Sequence, residues 1–160
     1  MRAAVLTIST SLARGAGEDR SGPRLAELLR AAGCQVQPVE VLPDDLAAIE
    51  GRLRELVADD LRFVCTTGGT GLTADDVTPE ATSAVIERAA PAFQQAMLIE
   101  GLRHQPLALV SRGVSGIAGR TLIVNFPGNP NAIDQLFPVI APALPHAAAT
   151  LAREEPGERH

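Results

Sequence analysis

Between Cys65 and Pro79 the chain reads CTTGGTGLTADDVTP, and the residues in it that can do chemistry are three glycines and two aspartates. Gly68, Gly69 and Gly71 admit backbone dihedrals closed to other residues and let a ligand approach the main chain, so the amides around them, Thr70 included, can receive an anion. Asp75 and Asp76 follow just ahead of Thr78-Pro79, a helix-starting pair in which Thr78 caps and Pro79 fills the first turn. A carboxylate beside phosphate is repulsive unless a divalent cation joins them, and magnesium does so through one or two carboxylates plus substrate oxygens. Asp75 or Asp76 could fill that role. Equally, Gly-Gly-Thr-Gly could be a tight turn and the aspartates solvated charges favoured by the helix dipole. Spacing alone does not choose.

Three further segments carry candidates. In LPDD (Leu42 to Asp45) the simpler reading makes Asp44 or Asp45 the N-cap of a following helix. VSRGVSGI (Val110 to Ile117) puts Ser111 and Arg112 at a strand end, with Arg112 expected to give fork-shaped contacts to phosphate. NFPGNPNA (Asn125 to Ala132) ends another strand with Pro, Gly and Asn. Each is an ordinary turn alone. Together they are four strand ends whose small or polar residues can converge on one crevice.

The elements that must position them alternate along the chain. AAVLTIS (Ala3 to Ser9) reads as a strand, and Ser21 as the cap of a helix whose Leu25, Leu28, Leu29 and Ala32 share a face, ended by Gly33. CQVQPVEVL reads as a strand held to a sheet edge by Pro38. Ile49, Leu53, Leu56 and Val57 mark a helix, and RFVCTT a central strand. Helices are expected from Pro79 to Ala89 and Pro91 to Arg103, strands at LALVS and TLIVNF, and a closing helix through Leu136, Val139, Ile140 and Leu144. This is the pattern of an α/β sandwich with a mostly parallel sheet, whose ligands gather outside the carboxyl ends of the strands. One domain over residues 1–151 is expected, with 152–160 a frayed tail.

Composition removes several function classes. All 14 basic residues are arginine, which excludes a Walker A loop, a pyridoxal Schiff base and any catalytic lysine. Aromatic residues make up 2% and the net charge is −5, so nucleic acid is not an expected partner. No apolar run is long enough for a membrane helix and no secretory signal is evident, so a cytoplasmic protein is expected. Cys34 and Cys65 read as buried thiols, and the three histidines have no partner at ligand spacing.

TTGGTG, DDVTPEAT, SRGVSGI and NFPGNPNA, in this order and at these separations, resemble the MogA/MoaB family of molybdenum-cofactor biosynthesis proteins and the related gephyrin-type G domains. The likeness runs to about Leu151, and DVTPEAT with PGNPNA is more similar to the MogA branch. It implies a three-layer α/β/α homotrimer that binds molybdopterin and, with Mg²⁺ and ATP, adenylylates it with release of pyrophosphate, handing the product to a MoeA-type insertase. A non-catalytic, MoaB-like molybdopterin carrier or trimeric scaffold is the alternative. By position the resemblance assigns catalysis and metal to Asp44 and Asp76, against the N-cap reading of Asp44. It gives the substrate loop to Gly68, Gly69, Thr70 and Gly71, and pocket contacts to Glu80, Ser111, Gly128 and Asn129. Ser9-Thr10-Ser11, where many members have Ser-Asp, and Gly113, where some have Ser, depart from the pattern.

Overall fold

A computed structural model describes residues 1–153, so 154–160 of the expected tail lie outside it. The first strand, β1 (Arg2–Ile8), is buried at six of its seven residues, as a strand covered by helices on both faces must be. A four-residue helix α1 (Thr10–Ala13) follows, then α2 (Ser21–Ala31). Asp19 rather than Ser21 supplies the cap, its Oδ1 accepting the Gly22 N–H at 3.1 Å. Gly33 ends this segment with φ +93°, a conformation open to glycine. The stretch around Pro38 forms two short strands, β2 (Gln35–Val36) and β3 (Glu40–Leu42), both parallel to β1 and both at the sheet edge. Proline has no N–H to give a ladder, so the pairing is interrupted there.

Helix α3 (Leu46–Ala58) leads to β4 (Phe63–Thr67), every residue of which is buried. Next come α4 (Thr78–Val85), β5 (Arg88–Ala89), α5 (Ala92–His104), a 3-10 segment (Pro106–Val110), β6 (Ser115–Ala118), β7 (Thr121–Phe126), α6 (Pro130–Ile140) and α7 (Leu144–Leu151). The sheet order is β2-β1-β4-β7-β6-β5, parallel through β7 and antiparallel at β6 and β5.

Alternate residues of the central strands fill two separate cores. Ala3, Val5, Phe63, Cys65, Leu122 and Val124 pack with α2 and α6, whereas Ala4, Leu6, Val64 and Ile123 pack with α3 and α4. This is the expected three-layer α/β/α sandwich.

Three local expectations are corrected. LALVS is a 3-10 segment; a short apolar run after a proline has no periodicity to separate it from a strand, and Leu107 and Leu109 are both 67% exposed. The helix beginning at Thr78 stops at Val85, and Arg88–Ala89 pairs with β6 instead. Strand β6 itself lay hidden in SRGVSGI, where two glycines mask the β pattern. The closing helix is also two helices, separated by a 3-10 turn at Ala141–Ala143.

Candidate functional site

Because β1, β3, β4 and β7 run parallel, the segments after Ile8, Leu42, Thr67 and Phe126 emerge along one edge of the sheet. Antiparallel β6 begins at that edge, since Ser115 pairs with Val124, and brings Ser111 to Gly113 to it. At the centre is the loop after β4. Gly68 and Gly69 have φ of +96° and +66°, and neither has room for a side chain. A Cβ on Gly68 would strike the Ile8 carbonyl oxygen; one on Gly69 would strike Thr78 Oγ1 and come within 3.2 Å of Asp44 Oδ1. Gly128 is tight but less confined, its Cβ position 3.2 Å from the Gly68 Cα.

The loop's carbonyls are tied back into the protein. Gly69 O accepts the Thr78 N–H at 3.1 Å, Thr70 O the Arg112 N–H at 2.8 Å, and Gly71 O the Arg112 Nε–H at 2.7 Å. The Gly68 amide is also committed, donating to Phe126 O at 3.1 Å. The amides of Gly69, Thr70 and Gly71, by contrast, donate to no protein acceptor among the described residues. Successive amides left unpaired beside glycines in the left-handed region form an anion-binding nest.

Both candidate carboxylates border this loop. Asp45, not Asp44, caps α3, its Oδ1 accepting the Ala48 N–H at 2.8 Å. Asp44 instead turns toward β1, where its Oδ2 accepts the Thr10 N–H and hydroxyl, each at 2.9 Å. Asp76 Oδ2 accepts the Thr73 hydroxyl at 2.7 Å and the Thr73 N–H at 3.1 Å, and lies against Gly71. Asp75 is exposed and makes no such contact. Each of Asp44 and Asp76 therefore uses Oδ2 for local, uncharged donors and leaves Oδ1 without a protein partner among the described residues. Thr10, in the Ser9-Thr10-Ser11 departure from the family pattern, thus holds Asp44; Thr73 has no sequence signal beyond a hydroxyl three residues before Asp76.

Arg112 is placed differently from the expectation. Its guanidinium donates to Gly71 O, to Asp76 O at 2.7 Å and to Glu80 Oε1 at 2.6 Å, so its forks hold the protein's own loop. Glu80 is correspondingly in an ion pair with Arg112. A cleft of about 400 Å³ opens beside the loop, lined by Thr70, Gly71, Ser111 and Asn129 and walled by apolar side chains of α5, the 3-10 segment and α6, among them Met97, Leu98, Leu107 and Leu136. Asn129 additionally caps α6 through its Oδ1. Asp44, Asp76, Gly68, Gly69, Glu80 and Gly128 do not line that cleft. The site thus has a polar crevice and an adjoining apolar cleft.

Fully buried Asn125 supports both. Its amide donates to Thr66 Oγ1 and Thr82 Oγ1 at 2.9 and 3.0 Å, while its Oδ1 accepts the Val114 N–H. Thr82 in turn donates to Thr78 O, and Gln94 donates to Val114 O and Asn125 O. One network thereby joins the start of α4, the approach to β6 and a wall of the cleft. Buried polar groups satisfied in this way fix a unique arrangement.

Thr78 Oγ1 is the exception: buried and without a hydrogen-bond partner, beside Gly69 and on the side where Asp44 Oδ1 lies. Such an orphan group calls for an explanation. The neighbours beside Gly69 are oxygens, the Thr78 hydroxyl and the Asp44 carboxylate, the donor type a hard divalent cation takes, with the Asp76 carboxylate farther along the loop against Gly71.

The family described as "Probable molybdopterin binding domain" matches residues 4–146. Over 145 residues the chain is 39% identical to molybdenum cofactor synthesis protein cinnamon of Drosophila melanogaster, covering 89% of this chain but spanning only 24% of cinnamon's length. It is 38% identical over 138 residues to molybdopterin adenylyltransferase of Escherichia coli, covering 84% of this chain and 71% of that one. The crystal structure of the molybdopterin biosynthesis enzyme MoaB from Thermus thermophilus superposes with a TM-score of 0.87 at 37% identity, over 94% of this chain and 95% of that chain. With its fold, its loop after β4 and nearly its whole length matched, the chain belongs to the molybdopterin-binding domain family.

Proposed function

We propose that the chain transfers the adenylyl group of ATP to molybdopterin, releasing pyrophosphate. The observation that carries this reading is the nest of Gly69, Thr70 and Gly71 amides set between two carboxylates that have only uncharged partners. Such a place accepts phosphate oxygens and the cation that accompanies them. The similarity to a protein named molybdopterin adenylyltransferase supports the choice of reaction.

In this reaction the terminal phosphate of molybdopterin attacks the α-phosphorus of ATP. A new P–O bond forms, the bond from the α-phosphorus to the bridging oxygen breaks, and its electrons leave with pyrophosphate. The substrate supplies its own nucleophile, so the chain's work is to position and neutralise, and no Ser-His or Cys-His pair is required. The loop amides take phosphate charge. Asp44, fixed by Thr10, and Asp76, fixed by Thr73, are the residues that would hold Mg²⁺. Bound there, Mg²⁺ would neutralise charge on the phosphates. The apolar cleft gives a flat heterocycle a dry surface, with Ser111 and Asn129 at its polar side.

The exposed apolar side chains of α5 and the 3-10 segment support the homotrimer. Ile99, Leu102 and Leu109, which do not line the cleft, are 43 to 67% exposed, and large apolar side chains left in water on one segment of the surface suit an interface. Light scattering at micromolar concentration should return three times the 16.7 kDa chain mass; a monomer mass would refute the assembly. A MoeA-type insertase is proposed as the consumer of the product.

The deciding assay is pyrophosphate release from ATP with and without molybdopterin. Release only in its presence, with one AMP joined to each pterin and none to protein, is the expected result. Binding of molybdopterin without release would make the chain a carrier. Equal ATP hydrolysis without pterin, or adenylylated protein, would overturn the roles given to Asp44 and Asp76.

A further inference from the structure

Within residues 71–77 one turn holds the chain, with the Thr73 N–H and hydroxyl donating to Asp76 Oδ2 and the Asp76 N–H to Thr73 O. Leu72, Thr73, Ala74 and Asp75 are all exposed, and the segment contains neither helix nor strand. One side chain from elsewhere crosses it. Arg112 donates through Nε to Gly71 O, through Nη2 to Asp76 O and through Nη1 to Glu80, contacting the start of the segment, Asp76 near its end and the first turn of α4. Its own N–H adds a bond to Thr70 O. The three acceptors occupy all three guanidinium nitrogens, and the guanidinium's charge is already matched by Glu80.

We infer that Arg112 is a positioning residue for Asp76, and that Glu80 keeps it in that role instead of leaving it free to bind substrate phosphate. A guanidinium meets these acceptors from three nitrogens spread across a rigid plane; an ammonium carries the same charge but has its three donors on one atom. If Arg112 served to neutralise phosphate, lysine would replace it tolerably. As a staple, it cannot be so replaced. The kinetic part of this inference rests on the adenylyl-transfer reading, whereas the structural part does not.

The test compares the full chain with Arg112→Lys and Glu80→Gln. Amide hydrogen exchange followed by mass spectrometry should show at least tenfold faster exchange in Arg112→Lys at the protected amides of residues 70–80, with the central strands unchanged. In turnover, Arg112→Lys should lower kcat by at least about 30-fold while KM for ATP stays within about threefold, the pattern of lost positioning. Glu80→Gln, which keeps an acceptor but not the charge, should lower kcat less and leave KM for ATP alone. Direct titration with Mn²⁺, read as loss of the free-ion EPR signal, should show weaker binding in Arg112→Lys. Unchanged exchange in residues 70–80 would overturn the inference. So would a rise of tenfold or more in KM for ATP with kcat intact, which would make Arg112 a phosphate ligand. If the unmodified chain transfers no adenylyl group, the function fails, and the exchange result still decides the role of Arg112.

Discussion

At the amino ends of β4 and β7, Asp60 lies between two arginines: Arg120 Nη2 is 2.6 Å from its Oδ2 and Arg62 Nη1 is 3.7 Å from its Oδ1. At the opposite, carboxyl edge of the sheet, Asp44 after β3 and Asp76 after β4 are bonded by threonine hydroxyls and backbone N–H groups, and among the described residues no arginine pairs with either carboxylate. Arg112 is nearby but bonds main-chain carbonyls and Glu80. An acid neutralised by arginine closes a structure, whereas an acid oriented by neutral donors keeps its charge for something else. The two ends of one sheet therefore use the same residue type for opposite purposes.

Removing charge at the carboxyl end should have the largest effect. Asp76→Asn should lower adenylyl transfer by at least about 10²-fold with little change in melting temperature, while Asp75→Asn stays within about threefold. Equal loss in both would show that the two neighbouring carboxylates are not distinguished by their contacts. Asp44→Ala should also abolish transfer but leave molybdopterin affinity within about tenfold, or ~1.4 kcal/mol, measured by equilibrium binding.

A change of shape at the same end should be next in size. Gly69→Ala places a methyl group where φ is +66° and where Thr78 Oγ1 and Asp44 Oδ1 already stand. A loss of about 1–3 kcal/mol in chemical denaturation is expected, together with reduced transfer because Asp44 must move. Unchanged stability would mean that the loop is not confined by its contact with Thr78.

Between the two ends, burial pushes the Cys65 thiol up, and the Cys34 thiol to a lesser degree. The chain contains no lysine and no tyrosine, so few other groups titrate in mildly alkaline solution. Above roughly pH 8.5 the unfolded chain releases thiol protons that the folded chain keeps, so stability must fall as pH rises, by up to about 1.4 kcal/mol per pH unit from Cys65. Urea midpoints at pH 8 and pH 10 measure that slope, and Cys65→Ala should flatten it.

The smallest effect belongs to the amino end. Asp60 has φ +56°, which asparagine tolerates, so Asp60→Asn tests charge alone. Because Asp60 is 44% exposed, the loss should be at most about 1 kcal/mol, with transfer unaffected. A large loss of activity would end the contrast between the two ends.

Much of this arrangement is legible in order along the chain. Runs such as RFVCTT and TLIVNF, rich in β-branched and aromatic residues, favour buried strands, and Leu25, Leu29, Ile49, Leu53 and Leu56 at helical spacing define faces that must be covered. The glycines of TTGGTG announce backbone conformations that other residues avoid, and the family resemblance attaches chemistry to Asp44 and Asp76. Where the signal is a single short apolar run, as in LALVS, or a strand interrupted by glycines, as in SRGVSGI, local pattern fails because sheet position is decided by distant partners.

Which neighbour each polar group meets is settled by how the elements pack. Sequence proximity cannot say that Asp45 caps α3 while Asp44 turns to Thr10, 34 residues earlier. Nor can it say that Arg112 reaches back to Gly71, Asp76 and Glu80, or that Asn125 joins β4 to α4. Hydrogen bonds act over about 3 Å and depend on direction, so their partners exist only once the strands are paired and their ends brought to one edge. Periodicity and backbone freedom act within a few residues, and the sequence therefore determines them by itself.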